Sequence, residues 1–120
     1  MSKKTVVLGA SPKEDRYSNR AVRMLKKNGH EAIALGFEAK NIDDTVIETK
    51  WKEYENVDTV SLYLNPQRQK EYYNYILSLH PKRILFNPGT ENTELEQLAK
   101  NNNIQPIEAC TLVLLSTGQF

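Results

Sequence analysis

The stretch VVLGASPKEDRYSNRAV, Val6 to Val22, decides the fold. Thr5 to Leu8 is continuous and apolar, as a strand buried on both faces must be. Gly9 follows, and a helix begins after a charged loop: Ser18 is the expected cap, and Ala21, Val22 and Leu25 mark the apolar side. Strand, glycine turn and helix together open nucleotide-binding α/β domains. Yet the dinucleotide fingerprint G-x-G-x-x-G is missing, because Ser11 and Glu14 occupy its second and third glycine places.

Outward from this stretch, short β-branched runs alternate with helical patterns, which predicts an α/β fold with a parallel sheet. The first helix runs to about Asn28, and Gly29 suits the left-handed position after it. Glu31 to Leu35 is a second strand, and Thr45-Val46-Ile47 a weak third at an edge, with a helical turn at Trp51 to Tyr54. Val57 to Leu64 is a strong strand. Asn65 then caps a helix with Pro66 at its first position, running to about Leu79. Arg83 to Phe86 is a strand, and Asn87-Pro88-Gly89 a turn. Thr93-Glu94-Leu95-Glu96 reads as a capping box for a helix to about Asn102. Ile104 to Glu108 is the last strand, and Cys110 to Leu115 a short closing helix. Right-handed crossovers make this a three-layer, doubly wound, Rossmann-like sheet of order 3-2-1-4-5-6. Ligands of such sheets bind beyond the C-terminal strand ends, where loops start at Gly9, Gly36, Asn65, Asn87 and Ala109.

The bulk numbers set bounds. The chain has 120 residues, which fits one domain over 1–120. Sixteen basic against fifteen acidic residues leave a net charge of +1, so no global field points to nucleic acid. One cysteine, Cys110, excludes an internal disulfide and fits a reducing compartment. No apolar run approaches the roughly 20 residues of a membrane span, so the expectation is a cytoplasmic protein.

An anion site must therefore be local, and the first helix start is where to look. Its free N–H groups carry about half a positive charge. Cations disfavour a helix's first turn, yet Arg16, Arg20 and Arg23 surround or follow this one. Solvated surface arginines, balanced in part by Glu14 and Asp15, are the competing explanation. Glu38 could hold a ribose hydroxyl; Lys40 beside it better suits a phosphate. Nothing points to catalysis or a metal. His30 lies in a turn and His80 ends a helix, no two-histidine metal spacing occurs, and Cys110 completes no metal motif. Cys110, opening the closing helix on the ligand side, is either a thiol packed with Leu112 and Leu115 or one able to meet a ligand thiol.

GASPKEDRYSNRAVRML with its following NG, YLNPQRQKEYY, FNPGTENTELEQLAKNNNI and EACTLVLL resemble, in order and spacing, the coenzyme A-binding domain proteins. These are small relatives of the N-terminal domain of the succinyl-CoA synthetase alpha subunit. The resemblance implies a Rossmann-like domain holding coenzyme A. It implies that Gly9, Ala10, Ser11 and Pro12 line the diphosphate, with Arg16, Ser18 and Asn19 beside it; Arg20 joins the candidate binding residues on its charge. Lys40 would lie by the adenosine 3′-phosphate, Asn65 and Pro66 would flank the pantetheine arm, and Asn87, Pro88 and Gly89 would lie near the thiol; Cys110, from its place beyond the last strand, is a further candidate binding residue there. Tyr63 and Phe86 are candidate apolar walls. The family's second loop commonly carries asparagine and proline after its strand; this chain reads Leu35-Gly36-Phe37-Glu38. The relatives' phosphorylated histidine belongs to a second domain, and no histidine here stands in a comparable setting. The expected function is coenzyme A or acyl-CoA binding without catalysis. An NAD(P)-dependent Rossmann oxidoreductase, or an interaction protein that has lost its ligand, are the alternatives.

Overall fold

The computed structural model describes residues 2–120. Seven strands form one sheet: β1 (Thr5–Ala10), β2 (Ala32–Gly36), β3 (Asn41–Ile42), β4 (Thr45–Glu48), β5 (Thr59–Leu62), β6 (Arg83–Phe86) and β7 (Gln105–Glu108), in the order β3-β4-β2-β1-β5-β6-β7. With the expected weak third strand identified as β4, the six parallel strands have the order read from the sequence. The two-residue β3 is an addition, pairing antiparallel with β4 and taking over the edge.

Side chains of a strand alternate between faces, and β1 shows it. Val6 and Leu8 pack with Leu62, Phe86, Ile76, Leu79, Leu95 and Ala99 on one face. Val7 and Ala10 pack with Val22, Leu25, Ile47 and Leu115 on the other. The three layers follow: α1 (Tyr17–Lys27) and α5 (Thr111–Ser116) on one face, α2 (Pro66–Gln69), α3 (Tyr73–Ser78) and α4 (Thr93–Asn101) on the other. Each fully buried Leu or Val contributes about 1.5–3 kcal/mol, so β1, buried along both faces, anchors the molecule.

Local chemistry sets the element ends. Helix α1 closes on Asn28; His30 N–H then donates to Leu25 O (2.9 Å) and Gly29 N–H to Lys26 O (3.0 Å), with Gly29 at φ +81°. That is a Schellman end, for which glycine is suited. Asn65 caps α2, its side chain accepting from Arg68 N–H at 2.9 Å, with Pro66 at the first position.

Four sequence expectations need correction. Ser18 does not cap α1. The cap position is Arg16, which gives no side-chain bond, and Ser18 lies buried inside the first turn. Thr93 does not open a capping box: Asn92 caps α4, its side chain accepting from Leu95 N–H. Trp51 to Tyr54 forms no helical turn. The helix expected from Pro66 to Leu79 is broken by a tight turn at Lys70–Tyr72. That turn sends neighbouring tyrosines to different partners: Tyr72 to Trp51 (4.7 Å between centroids), and Tyr73 Oη to Glu94 (2.9 Å) and Asn92 (2.8 Å). Among the described residues, no helix is long and apolar enough to cross a membrane.

Candidate functional site

At the sheet centre the chain leaves β1 toward one face and β5 toward the other, and the loops between them diverge. Gly9 sits at this fork. Its φ of +97° makes a bulge in the pairing of β1 with β2, between Leu8 and Ala10. A Cβ there would come within 3.1–3.3 Å of Leu64 and the Tyr63 backbone, so glycine lets the two loops meet. Gly36, ending β2, is tighter still: a Cβ would stand 2.4 Å from Ala10 O.

Two cavities adjoin over the fork, sharing Gly9, Ser11 and Tyr63. One, of about 290 Å³, is lined by Gly9–Pro12, Phe37, Glu38, Tyr63–Asn65 and Arg68. The other, of about 450 Å³, reaches Asp15, Arg16, Tyr17 and Ser18 at the start of α1. A wider recess of about 960 Å³ lies at the opposite end of the strands, around Lys4, Glu31, Asp58 and His80. It has no helix start, and α/β sheets bind ligands at the other end, so size does not decide.

The loop after β1 is held from within. Ser18 Oγ accepts from Ser11 N–H (3.2 Å) and Asn19 Nδ2 donates to Ser11 O (2.9 Å). Asn19 Oδ1 in turn accepts from Arg23 Nε (2.9 Å), and Arg23 also donates to Glu14 O (3.1 Å). Ser11 Oγ accepts from Lys13 N–H (3.2 Å). Ser18 and Asn19, both buried, thus shape the loop. Helix α1 itself begins without a side-chain cap and without an acid in its first turn. Its first backbone bond is Arg20 N–H to Arg16 O, so the preceding N–H groups have no acceptor within the helix. Arg16 is exposed beside them.

The other candidate residues separate. Arg20 lies off this site, stacked 5.7 Å from the Tyr17 ring and lining a groove with Arg23, Lys27 and Leu115. Lys40 is exposed, lines neither cavity and pairs with Glu38 at 3.8 Å. Asn65 lines the smaller cavity; Pro66 starts α2 behind it. Asn87 is buried and fully used: Nδ2 donates to Ser61 Oγ (3.0 Å) and Leu62 O (2.9 Å), and Oδ1 accepts from Thr111 N–H (2.8 Å). Pro88 and Gly89 are exposed in the turn beyond, and Gly89 N–H donates to Glu91. Phe86 is wholly buried in the core and forms no wall of either cavity. Cys110 stands half-buried at the cap position of α5, giving no capping bond.

Tyr63 does line both cavities. Its hydroxyl is buried and, among the described residues, makes no hydrogen bond of ordinary geometry. Burial pushes the phenol up to about 12, with the nearby Ser61 and Thr111 hydroxyls pulling the other way. It is a neutral donor throughout the physiological range. Sequence reading missed Arg68 and Phe37. Arg68 sits in α2, and its guanidinium stacks over the Phe37 ring, 4.1 Å from the centroid. Phe37 leans on Trp51 (5.6 Å) and Tyr72 (6.1 Å), and Trp51 Nε1 donates to Glu48 O (3.1 Å). The signal was an aromatic in the loop after β2 and an arginine in the helix after β5, but only the fold brings them together.

Fold and groove define a Rossmann-like α/β protein whose switch-point loops are arranged around a helix start suited to phosphate. The family model described as CoA binding domain matches residues 3–116, and the chain belongs to that family. A crystal structure of a protein described as uncharacterized is 50% identical, with a TM-score of 0.97, covering 100% of this chain and 99% of its own. A Thermus thermophilus structure, cell-free ID.343, is 18% identical with a TM-score of 0.84, covering 99% of this chain and 91% of its own. A hypothetical protein from Pyrococcus horikoshii OT3 is 19% identical with a TM-score of 0.86, covering 97% and 83%. These last two share the fold. No curated protein matches the chain.

Proposed function

We propose that this chain binds coenzyme A, or an acyl-CoA, as a module without catalysis of its own. One observation carries the reading: the uncapped, acid-free start of α1 opens onto paired cavities at the switch point. Coenzyme A is an elongated polyanion with a neutral arm. Its diphosphate suits the α1 N–H groups, with Arg16 beside them and the Gly9–Pro12 backbone beneath. Arg16 and Arg68, one in each cavity, have no carboxylate within 4.0 Å among the described residues, so they are available to anions. Ser18 and Asn19 serve the ligand by holding the loop. Tyr63 walls the junction with its ring, its neutral hydroxyl lying buried near Ser61 and Thr111. Asn65 and Pro66 border the pantetheine path, with Pro88, Gly89 and Cys110 toward its thiol end. Asn87 acts there only by fixing the turn and α5.

The test is thermal stabilisation with coenzyme A, acetyl-CoA, NAD and NADP. A ligand binding only the folded state stabilises it by about 2.7 kcal/mol at 100 times its Kd. Coenzyme A and acetyl-CoA are expected to raise Tm and the dinucleotides to leave it. A shift with NAD and none with coenzyme A moves the assignment to a nicotinamide cofactor. Silence from all four leaves a protein without this ligand.

A further inference from the structure

Resting on that reading, we propose that Arg68 recognises the ribose 3′-phosphate and so makes the site select coenzyme A over its dephospho form. Two anionic groups must be accommodated, the diphosphate and the 3′-phosphate, and the two joined cavities each present one guanidinium. Arg16 shares its cavity with the start of α1, where backbone N–H groups already await a phosphate. Arg68 lies across the fork, in the cavity bounded by Gly9–Pro12 and the loop after β2; the one-turn α2 also begins here, but Pro66 has no N–H and the Arg68 N–H is already taken by Asn65. A phosphate there needs a side-chain cation.

Arg68 is prepared for that role. Its backbone is fixed by Asn65, whose side chain and carbonyl both accept its N–H. Its guanidinium rests on Phe37, which is braced by Trp51 and Tyr72. Among the described residues, its side-chain N–H groups donate no hydrogen bond and meet no carboxylate. A planar guanidinium held by stacking, with its donors free, is shaped for bidentate contact with a phosphate. Glu38, in the same cavity, adds an acceptor for a ribose hydroxyl. Lys40, which the family resemblance places by this phosphate, is instead engaged with Glu38 and off the cavity wall. Arg68 takes its place.

The experiment is calorimetric titration of wild type, Arg68→Gln, Arg68→Lys and Arg16→Gln with coenzyme A and with dephospho-coenzyme A at one salt concentration. Wild type is expected to prefer coenzyme A by about tenfold or more, as one charge-assisted contact gives. Arg68→Gln should abolish that preference by weakening coenzyme A alone, with dephospho-coenzyme A unchanged. Arg68→Lys should restore part of it. Arg16→Gln should weaken both ligands alike. The proposal is overturned if wild type binds both ligands equally, if Arg68→Gln keeps the preference, or if it weakens both to the same extent. Wild type binding neither ligand overturns the coenzyme reading itself, a result separable from any of these. Circular dichroism melts of each variant exclude misfolding, which the exposed position of Arg68 makes a small risk.

Discussion

Asn87 shows how much one buried amide can hold. It joins β5 to the start of α5 and receives Thr90 at its own carbonyl, through the Thr90 N–H (2.9 Å) and hydroxyl (2.7 Å). Asn87→Ala leaves Ser61, Leu62 and Thr111 each short of a partner, at a cost on the order of 3 kcal/mol. Urea unfolding measures it; a loss under about 1 kcal/mol would mean water substitutes freely. Two glycines rank by geometry. Gly36→Ala drives a Cβ against backbone at 2.4 Å, whereas Gly9→Ala meets contacts of 3.1–3.3 Å at a positive φ. Both should destabilise by about 1 kcal/mol or more, Gly36→Ala further, in the same unfolding assay. The reverse order would show that backbone strain at Gly9 outweighs the clash at Gly36. The turn at Gly9 was legible in the sequence, because glycine after an apolar run has few other reasons. The work of Asn87, read as ligand contact, was not: an asparagine after a strand serves loop and ligand equally well until its partners from β5 and α5 are known.

Among the elements, most of the parallel strands were legible because they are short apolar or β-branched runs closed by polar or glycine residues; β7, Gln-Pro-Ile-Glu, carries the weakest such signal. Helix ends were less so. Asn92 and Thr93 are both good caps, and only the backbone turn chose Asn92. The broken helix after Asn65 hid because Tyr72, Ile76 and Leu79 fit one helical stripe. The buried Gln69 is claimed by Leu64 O and Thr90 O (2.8 Å each), contacts invisible to periodicity. Helix α4 meets β7 through Glu96 and Glu108. Burial, then the neighbouring Glu108 carboxylate, holds Glu96 above the usual carboxylate range. A raised folded pKa favours the fold while Glu96 is protonated, and that contribution is lost as pH rises through the folded value. Glu96→Gln should therefore gain stability relative to wild type between about pH 4 and 7. A difference constant over that range would show that the two carboxyls do not interact.

Across the whole molecule, Lys3 and Phe120 meet where β1 and β6 begin. Lys3 N–H donates to His30 Nδ1 (2.9 Å), Lys3 Nζ and Arg83 both donate to Phe120 O (2.6 and 2.8 Å), and the Phe120 ring stacks on His30 (5.0 Å). Burial first, then Lys3, depresses His30 below its ordinary value of 6.5. The neutral ring is the one the fold uses, since Nδ1 must accept. A depressed folded pKa means stability present above the unfolded value and lost as pH falls. Wild type should lose Tm relative to His30→Gln on going from about pH 7.5 to 5. Parallel melting curves across that range would show that His30 titrates alike in the folded and unfolded chain.

The short antiparallel strand at Asn41–Ile42 has a bearing on how copies behave toward each other. An open parallel sheet ends in two rows of unpaired main-chain groups that invite another sheet to dock. Here one row is occupied by β3, whose turn is fastened to α1 through Lys26 with Asp44 and Thr45. The other row, on β7, is interrupted by Pro106, which has no N–H to offer. One flank is thereby cut to two residues and the other interrupted, which disfavours the sheet serving as a template for fibres.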